Sequence, residues 1–255
     1  MIKQTQLFSP ELDRMVQVRI YTPPGYDTEG SSYPIAYFFD GQNLFDPAEA
    51  SYGMIWAVDQ VLEQIDQPMI VVGLDSSPDH RTEEYTPWSF PVDLDPSLDR
   101  RGGRGKDTAR FLLDQVIPWV KQHYRTDGRQ MIAGASLGGV MSLYLGSSYP
   151  EEFDWILAMS TAGWLFQEEL EQQLRRIDPS LGQRYYLDSG TEESTADGFD
   201  KLYIKSNRRL SELLTKTGVK HKFYLETGGE HNEDAWHRRL PDALGWLILD
   251  QSEES

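Results

Sequence analysis

Three runs in this chain, at 34–39, 69–74 and 130–135, are almost free of polar residues, and segments of helical periodicity separate them. A strand with one wet face alternates apolar and polar side chains. A strand that is apolar throughout must be covered on both sides. Further strand candidates lie at 15–21, 155–160, 184–187 and 222–225, with helical spacing at 55–65, 108–124, 137–149, 200–217 and 235–249. In 108–124, Phe111, Leu112, Val116, Trp119 and Val120 recur at helical spacing, and Pro118 predicts a kink. Strands alternating with helices predict an α/β fold, a mostly parallel sheet with helices on both faces. No repeat, low-complexity tract or linker interrupts 1–255, so one domain is expected, near the upper size that a single core supports.

Composition then removes several kinds of chemistry. There is no cysteine, hence no disulfide, thiol nucleophile, zinc finger or iron–sulfur cluster. Lys and Arg number 24 against 41 Asp and Glu, a net charge of −17. That balance argues against a nucleic-acid partner, whose phosphates are bound mainly by Lys and Arg. The first residues lack the apolar run of a leader. The uncharged stretch 131–150 contains four glycines and four serines and reads as a buried strand–turn–helix, not a bilayer span. The expectation is a soluble, cytoplasmic chain without a membrane partner; its oligomeric state is left open.

The sharpest local signal is Gly134-Ala135-Ser136-Leu137-Gly138-Gly139, which ends one apolar run and opens a helical one. A G-x-S-x-G at a strand-to-helix turn is the pattern of a nucleophile elbow. The turn is so tight that a Cβ two residues before or after the serine would meet neighbouring backbone, and glycine avoids this. The hydroxyl then stands at the strand end beside helix N-terminal amides able to stabilise negative charge. The plainer alternative is that Ser136 only caps a helix.

A serine nucleophile needs a base and an orienting acid. The elbow arrangement runs serine, acid, histidine along the chain, so His221, His231 and His237 are the candidates after Ser136. His221 just precedes a predicted strand and His237 falls inside the last helix. His231 follows the strand 222–225 through a glycine-containing loop, and that geometry selects it. Of the others, His123 ends an amphipathic helix and His80 lies in a long loop. For the acid, Asp188 sits at a predicted strand end, with Glu192 and Glu193 beyond Gly190. Spacing does not choose among the three.

Taken together, Tyr37-Phe38-Phe39-Asp40-Gly41-Gln42-Asn43-Leu44-Phe45, Gly134 to Gly139, Gly190 to Glu193 and Gly228-Gly229-Glu230-His231 make the chain resemble a known family. It is similar to the family named Putative esterase in the α/β-hydrolase superfamily, the esterase D, enterochelin-esterase-like and feruloyl-esterase-like group. The resemblance implies an α/β-hydrolase fold and serine-dependent hydrolysis of a small-molecule carboxylic ester without a cofactor. It implies Ser136 as nucleophile, His231 as base and Glu193 as acid. It also implies an oxyanion hole formed by the backbone amides of Leu137 and Gln42. The same residues suit acyl transfer to an alcohol or sugar, or a binding protein that keeps the fold.

No H-E-x-x-H occurs, and Asp93, Asp95 and Asp99 do not match the spacing of a calcium loop, so no metal is expected. The segment 75–106 has no periodicity but is rich in aromatic and charged residues. A loop this long reads as a flap near a site, with Tyr85 and Trp88 as candidate pocket walls.

Overall fold

A computed structural model describes residues 1–91, 102–194 and 198–249. Its framework is a sheet of eight strands: β1 (Ile2–Ser9), β2 (Arg14–Tyr21), β3 (Tyr33–Phe39), β4 (Ile70–Leu74), β5 (Thr126–Ala135), β6 (Trp155–Met159), β7 (Arg184–Glu192) and β8 (Lys220–Glu230). They lie in the order β1-β2-β4-β3-β5-β6-β7-β8, antiparallel across β1, β2 and β4 and parallel from β4 to β8. This is the α/β-hydrolase arrangement.

The apolar runs lie in the sheet interior: every residue of β3 and β4 is buried, as is β5 from Gln130 to Ala135. Pleating sends alternate side chains to opposite faces. Ile35, Tyr37 and Phe39 enter one core, while Ala36 and Phe38 enter the other. The first core is closed by α4 (Gly105–Phe111), α5 (Ile117–His123), α6 (Leu137–Ser148), α7 (Gln167–Leu174) and α8 (Phe199–Thr217). The second is closed by α2 (Val58–Gln64) and α9 (Glu233–Leu249). Two single-turn helices, α1 (Tyr26–Glu29) and α3 (Arg81–Glu84), lie in connections.

Several expectations are revised. β1 went unread because its sequence, Ile-Lys-Gln-Thr-Gln-Leu-Phe-Ser, is largely polar, as suits an edge strand mostly exposed to water. α7 was unread as well. The helix expected over 108–124 is α4 and α5 joined by a π turn, Leu112–Val116, that ends just before Pro118. The wider turn accommodates a residue that has no N–H to donate and whose ring would crowd the carbonyl of Asp114. In the segment 75–106, α3 and the start of α4 are ordered structure, whereas 92–101, with Asp93, Asp95 and Asp99, lies outside the described residues.

The most consequential revision concerns β7 and β8. Both run past their expected ends: Gly190 continues β7, and β8 passes through an irregularity at Gly228, φ 73°, and Gly229 that shifts the register before pairing resumes. β6 stays in register with β7 only to Leu187, but β7 and β8 pair on to Glu192 opposite Glu230. A two-stranded ribbon therefore projects beyond the sheet. It closes on glycines: a Cβ on Gly190 would run into the Gly229 carbonyl. Gly190→Ala is thus expected to cost about 1–3 kcal/mol. A urea titration should show a lower midpoint at unchanged m-value; an unchanged midpoint would mean the ribbon has slack.

Candidate active site

Ser136 occupies the turn between β5 and α6 with φ 57° and ψ −120°, a conformation that non-glycine residues adopt only under constraint. The constraint is visible. Its amide donates to the Met159 carbonyl (3.0 Å) and its carbonyl accepts from the Ala162 amide (3.1 Å), so the chain leaving β6 grips it on both sides. A Cβ on Gly134 would lie 2.6 Å from the backbone of Gly138. The expected clash at Gly138 itself is milder, 3.2 Å from the Phe39 side chain; Gly139, 2.5 Å from the Thr161 hydroxyl, is the tighter position. Neighbouring strands repeat the strain, with Asp40 (φ 56°) after β3 and Ser160 (φ 41°) after β6. Three adjacent strand ends thus make sharp turns at one edge of the sheet, where α/β folds form ligand sites.

His231 follows β8 directly, and Glu193 follows β7 directly. Because Glu192 is paired with Glu230, the next residue of each strand comes side by side. The imidazole Nδ1 lies 2.6 Å from Glu193 Oε2. Glu193 Oε1 accepts from the Gly190 amide (2.5 Å) and the Ser189 hydroxyl (3.0 Å). Burial pushes the carboxyl's pKa upward, but the hydrogen bond and charge of His231 and the Gly190 amide outweigh it and hold the group below its usual range. An ionised Glu193 fixes the tautomer with the proton on Nδ1 and leaves Nε2 as the acceptor. Tyr203 of α8 (centroids 5.0 Å) and Trp236 of α9 (5.2 Å) flank the ring. The Tyr203 phenol is raised in pKa by burial, while Trp164 and Ser136 beside it act the other way.

The other two carboxylates lie elsewhere. Glu192 is the last residue of β7. Asp188 is fully buried inside the strand: Oδ1 accepts from the Ser160 amide (2.8 Å) and Oδ2 pairs with Arg239 Nε (3.1 Å). Ser160 Oγ accepts in turn from Trp236 Nε1 (3.0 Å) and Arg239 Nη2 (2.9 Å). A buried polar layer thereby ties β6, β7 and α9 together beneath the imidazole.

A cavity of about 470 Å³ lies in front of Ser136 and His231. Asp40 and Arg81 face it as a bidentate pair (2.7 and 2.7 Å), and Gln42, Asn43, Glu233 and Trp236 also line it. Gln42 sits in the 3-10 turn Gly41–Asn43 and Leu137 opens α6. The first amides of a helical turn have no carbonyl partner inside it, so both N–H groups are suited to an external oxygen. Tyr85 and Trp88 are not walls of this cavity. The Tyr85 hydroxyl accepts from the Asp40 amide (3.0 Å) and its ring packs on Phe39, while Trp88 packs on Tyr144 and Phe166. Both pin the described residues around them to the core instead.

Three further histidines make structural contacts: His123 Nδ1 to the Trp119 carbonyl, His221, inside β8, to Val219 and Ser211, and His237 Nδ1 to the Trp56 carbonyl. Arg81, Glu233 and Tyr203 went unnoticed in the sequence. None belongs to a motif; Arg81 and Tyr203 reach the site from elements distant along the chain, and Glu233 from the helix that begins two residues after His231.

A family model described as Putative esterase matches residues 9–247. The chain belongs to that family. It is a carboxylic-ester hydrolase by class. Over 237 residues it is 25% identical to the uncharacterised protein YbbA of Bacillus subtilis (strain 168), covering 89% of this chain and 90% of that one. Over 245 residues it is 27% identical to an iron(III) salmochelin esterase of Escherichia coli O6:H1, covering 91% of this chain but only 54% of that enzyme, about half its length. An IroE-like serine hydrolase from Shewanella oneidensis superposes with a TM-score of 0.79 at 20% identity, covering 96% of this chain and 79% of that one, and so shares the fold. Among the described residues, no helix is long and apolar enough to cross a membrane.

The Asp188 layer makes a pH-dependent contribution to stability. Burial pushes its carboxyl from the ordinary 3.8 up to about 7, against the Arg239 guanidinium and the Ser160 amide, which favour the charged form. Between those values the folded chain holds a proton that the unfolded chain has released, so stability falls as pH rises through this window and levels off above it. Thermal melts of wild type and Asp188→Asn across this range should show the wild type losing Tm relative to the variant as pH rises. A constant difference would contradict the assignment.

Proposed function

We propose that the chain, as one α/β-hydrolase domain, hydrolyses a small-molecule carboxylic ester through an acyl-enzyme on Ser136, with His231 as general base and acid and Glu193 as the orienting acid. The observation that carries this reading is the 2.6 Å contact between Glu193 and His231, at a cavity that Ser136 also lines from its strained turn.

His231 Nε2 takes the hydroxyl proton as Ser136 Oγ attacks the ester carbonyl carbon. Glu193 accepts the hydrogen bond from Nδ1 and stabilises the imidazolium that forms, remaining ionised throughout. The carbonyl oxygen becomes an oxyanion that the Leu137 and Gln42 amides receive, each such donor contributing roughly 3–4 kcal/mol. Collapse of the tetrahedral intermediate expels the alkoxide, which takes the proton from His231. Water, deprotonated by His231, then attacks the acyl-enzyme by the same route and releases the carboxylic acid and free Ser136.

The test is hydrolysis of p-nitrophenyl acetate and butyrate by wild type, Ser136→Ala, His231→Ala and Glu193→Gln, together with fluorophosphonate labelling. Ser136→Ala and His231→Ala should lose about three orders of magnitude or more in kcat, and Glu193→Gln at least a hundredfold. The label should map to Ser136 in the wild type. A folded wild type with unlabelled Ser136, or a Ser136→Ala variant of undiminished activity, would reject the scheme.

A further inference from the structure

Glu233 is a buried carboxylate that this hydrolytic scheme leaves without a task. It opens α9 two residues after His231, is only 5% exposed, and lines the same cavity as Ser136. Its Oε1 accepts from Asn43 Nδ2 at 2.8 Å. Among the described residues no Lys or Arg stands within ion-pair distance of it, and Oε2 receives no side-chain donor. The other charges at the cavity are matched, Asp40 by Arg81 and His231 by Glu193. Burial raises the Glu233 pKa; its own amide opposes this, Asp40 adds to it, and His231 and Arg81 oppose it at longer range.

A buried carboxylate with an open lone pair is costly unless a donor fills it. Water can do so in the free protein, but a substrate that closes the cavity displaces that water and must supply the donor itself. The neighbours suit a compact hydroxylated group: the side-chain amides of Gln42 and Asn43 are held by Ser51, Ser76 and Glu233 and leave Glu233 as the acceptor, and the Trp236 indole presents an apolar surface. An alkyl chain in this place would strand Glu233 without a partner, and a second carboxylate would face its charge. Sites built to hydrogen-bond a substrate hydroxyl reject the analogue without it far more strongly than apolar pockets reject a missing methylene.

We propose that Glu233, oriented by Asn43, is a specificity-determining residue that receives a substrate hydroxyl, so that the favoured esters carry a hydroxyl on their compact polar part. The assignment rests on hydrolysis at Ser136.

The test compares kcat/KM within two matched pairs. These are 2,3-dihydroxypropyl acetate against propyl acetate for the alcohol side, and ethyl 3-hydroxybutyrate against ethyl butyrate for the acyl side, with acetylcholine as a cationic control. Wild type should favour the hydroxylated member of at least one pair tenfold or more. Glu233→Gln, which keeps a neutral acceptor, should shrink that ratio, and Glu233→Leu should bring it within about threefold of unity. Both members of a pair are measured on one preparation, so any misfolded fraction cancels from the ratio. Equal treatment of both pairs by wild type, a ratio that survives in Glu233→Leu, or preference for acetylcholine over every neutral ester would overturn the assignment. These outcomes are distinct from failure at Ser136, in which no ester is turned over and fluorophosphonate leaves the serine unlabelled; the Glu233 assignment then falls with it.

Discussion

The parallel register of β7 and β8 is the constraint on which the candidate site depends. Glu192 stands opposite Glu230, and this alone makes Glu193 and His231 neighbours although 38 residues separate them along the chain. The pairing continues beyond the sheet through a register shift at Gly228 and Gly229, where glycines let the two backbones approach more closely than side chains would permit. A one-residue slip would turn the side chains to opposite faces and separate the pair. The 2.6 Å hydrogen bond thus depends on the register shift between Gly190 and Glu192, since the register that begins at Arg184 and Lys220 would place Glu193 beside Gly229.

Strain and polar burial hold the rest of the arrangement. Asp40, Ser136 and Ser160 each adopt a positive φ at the end of a strand, and residues in such regions commonly cost 1–3 kcal/mol apiece. They persist because surrounding structure over-determines them: the Tyr85 hydroxyl meets the Asp40 amide, Met159 and Ala162 grip Ser136, and Asp188 receives the Ser160 amide. Trp236 and Arg239 reach the same Ser160 hydroxyl from α9. The helix that flanks the imidazole and the end of β6 that grips Ser136 therefore meet at one buried polar layer. Such layers specify a unique geometry when satisfied.

Much of this was legible along the chain. The apolar runs predict strands covered on both faces, and β3, β4 and the run Gln130–Ala135 of β5 are buried throughout. The elbow is legible because a tight strand-to-helix turn demands glycine at defined offsets, and the backbone at Ser136 has the sharp turn that this pattern implies. His231 follows from its place after a late strand. Glu193, however, was separated from Asp188 and Glu192 only by family resemblance, since spacing measures chain distance and not direction. Tyr85 and Trp88 were misread for a related reason: an aromatic residue in a long segment carries no mark of whether it faces a cavity or the core.

By itself, the sequence determined the layered α/β architecture, the strained turn at Ser136 and the strand end that bears His231, because periodicity and glycine placement act over a few residues. Only the tertiary structure decided that Glu193 meets His231 while Asp188 turns toward Arg239. It also decided that Arg81 and Glu233, from opposite ends of the chain, share one cavity. Those outcomes depend on strand register and on which face of an element is covered. Both arise from contacts between segments far apart in sequence, where no local pattern records them.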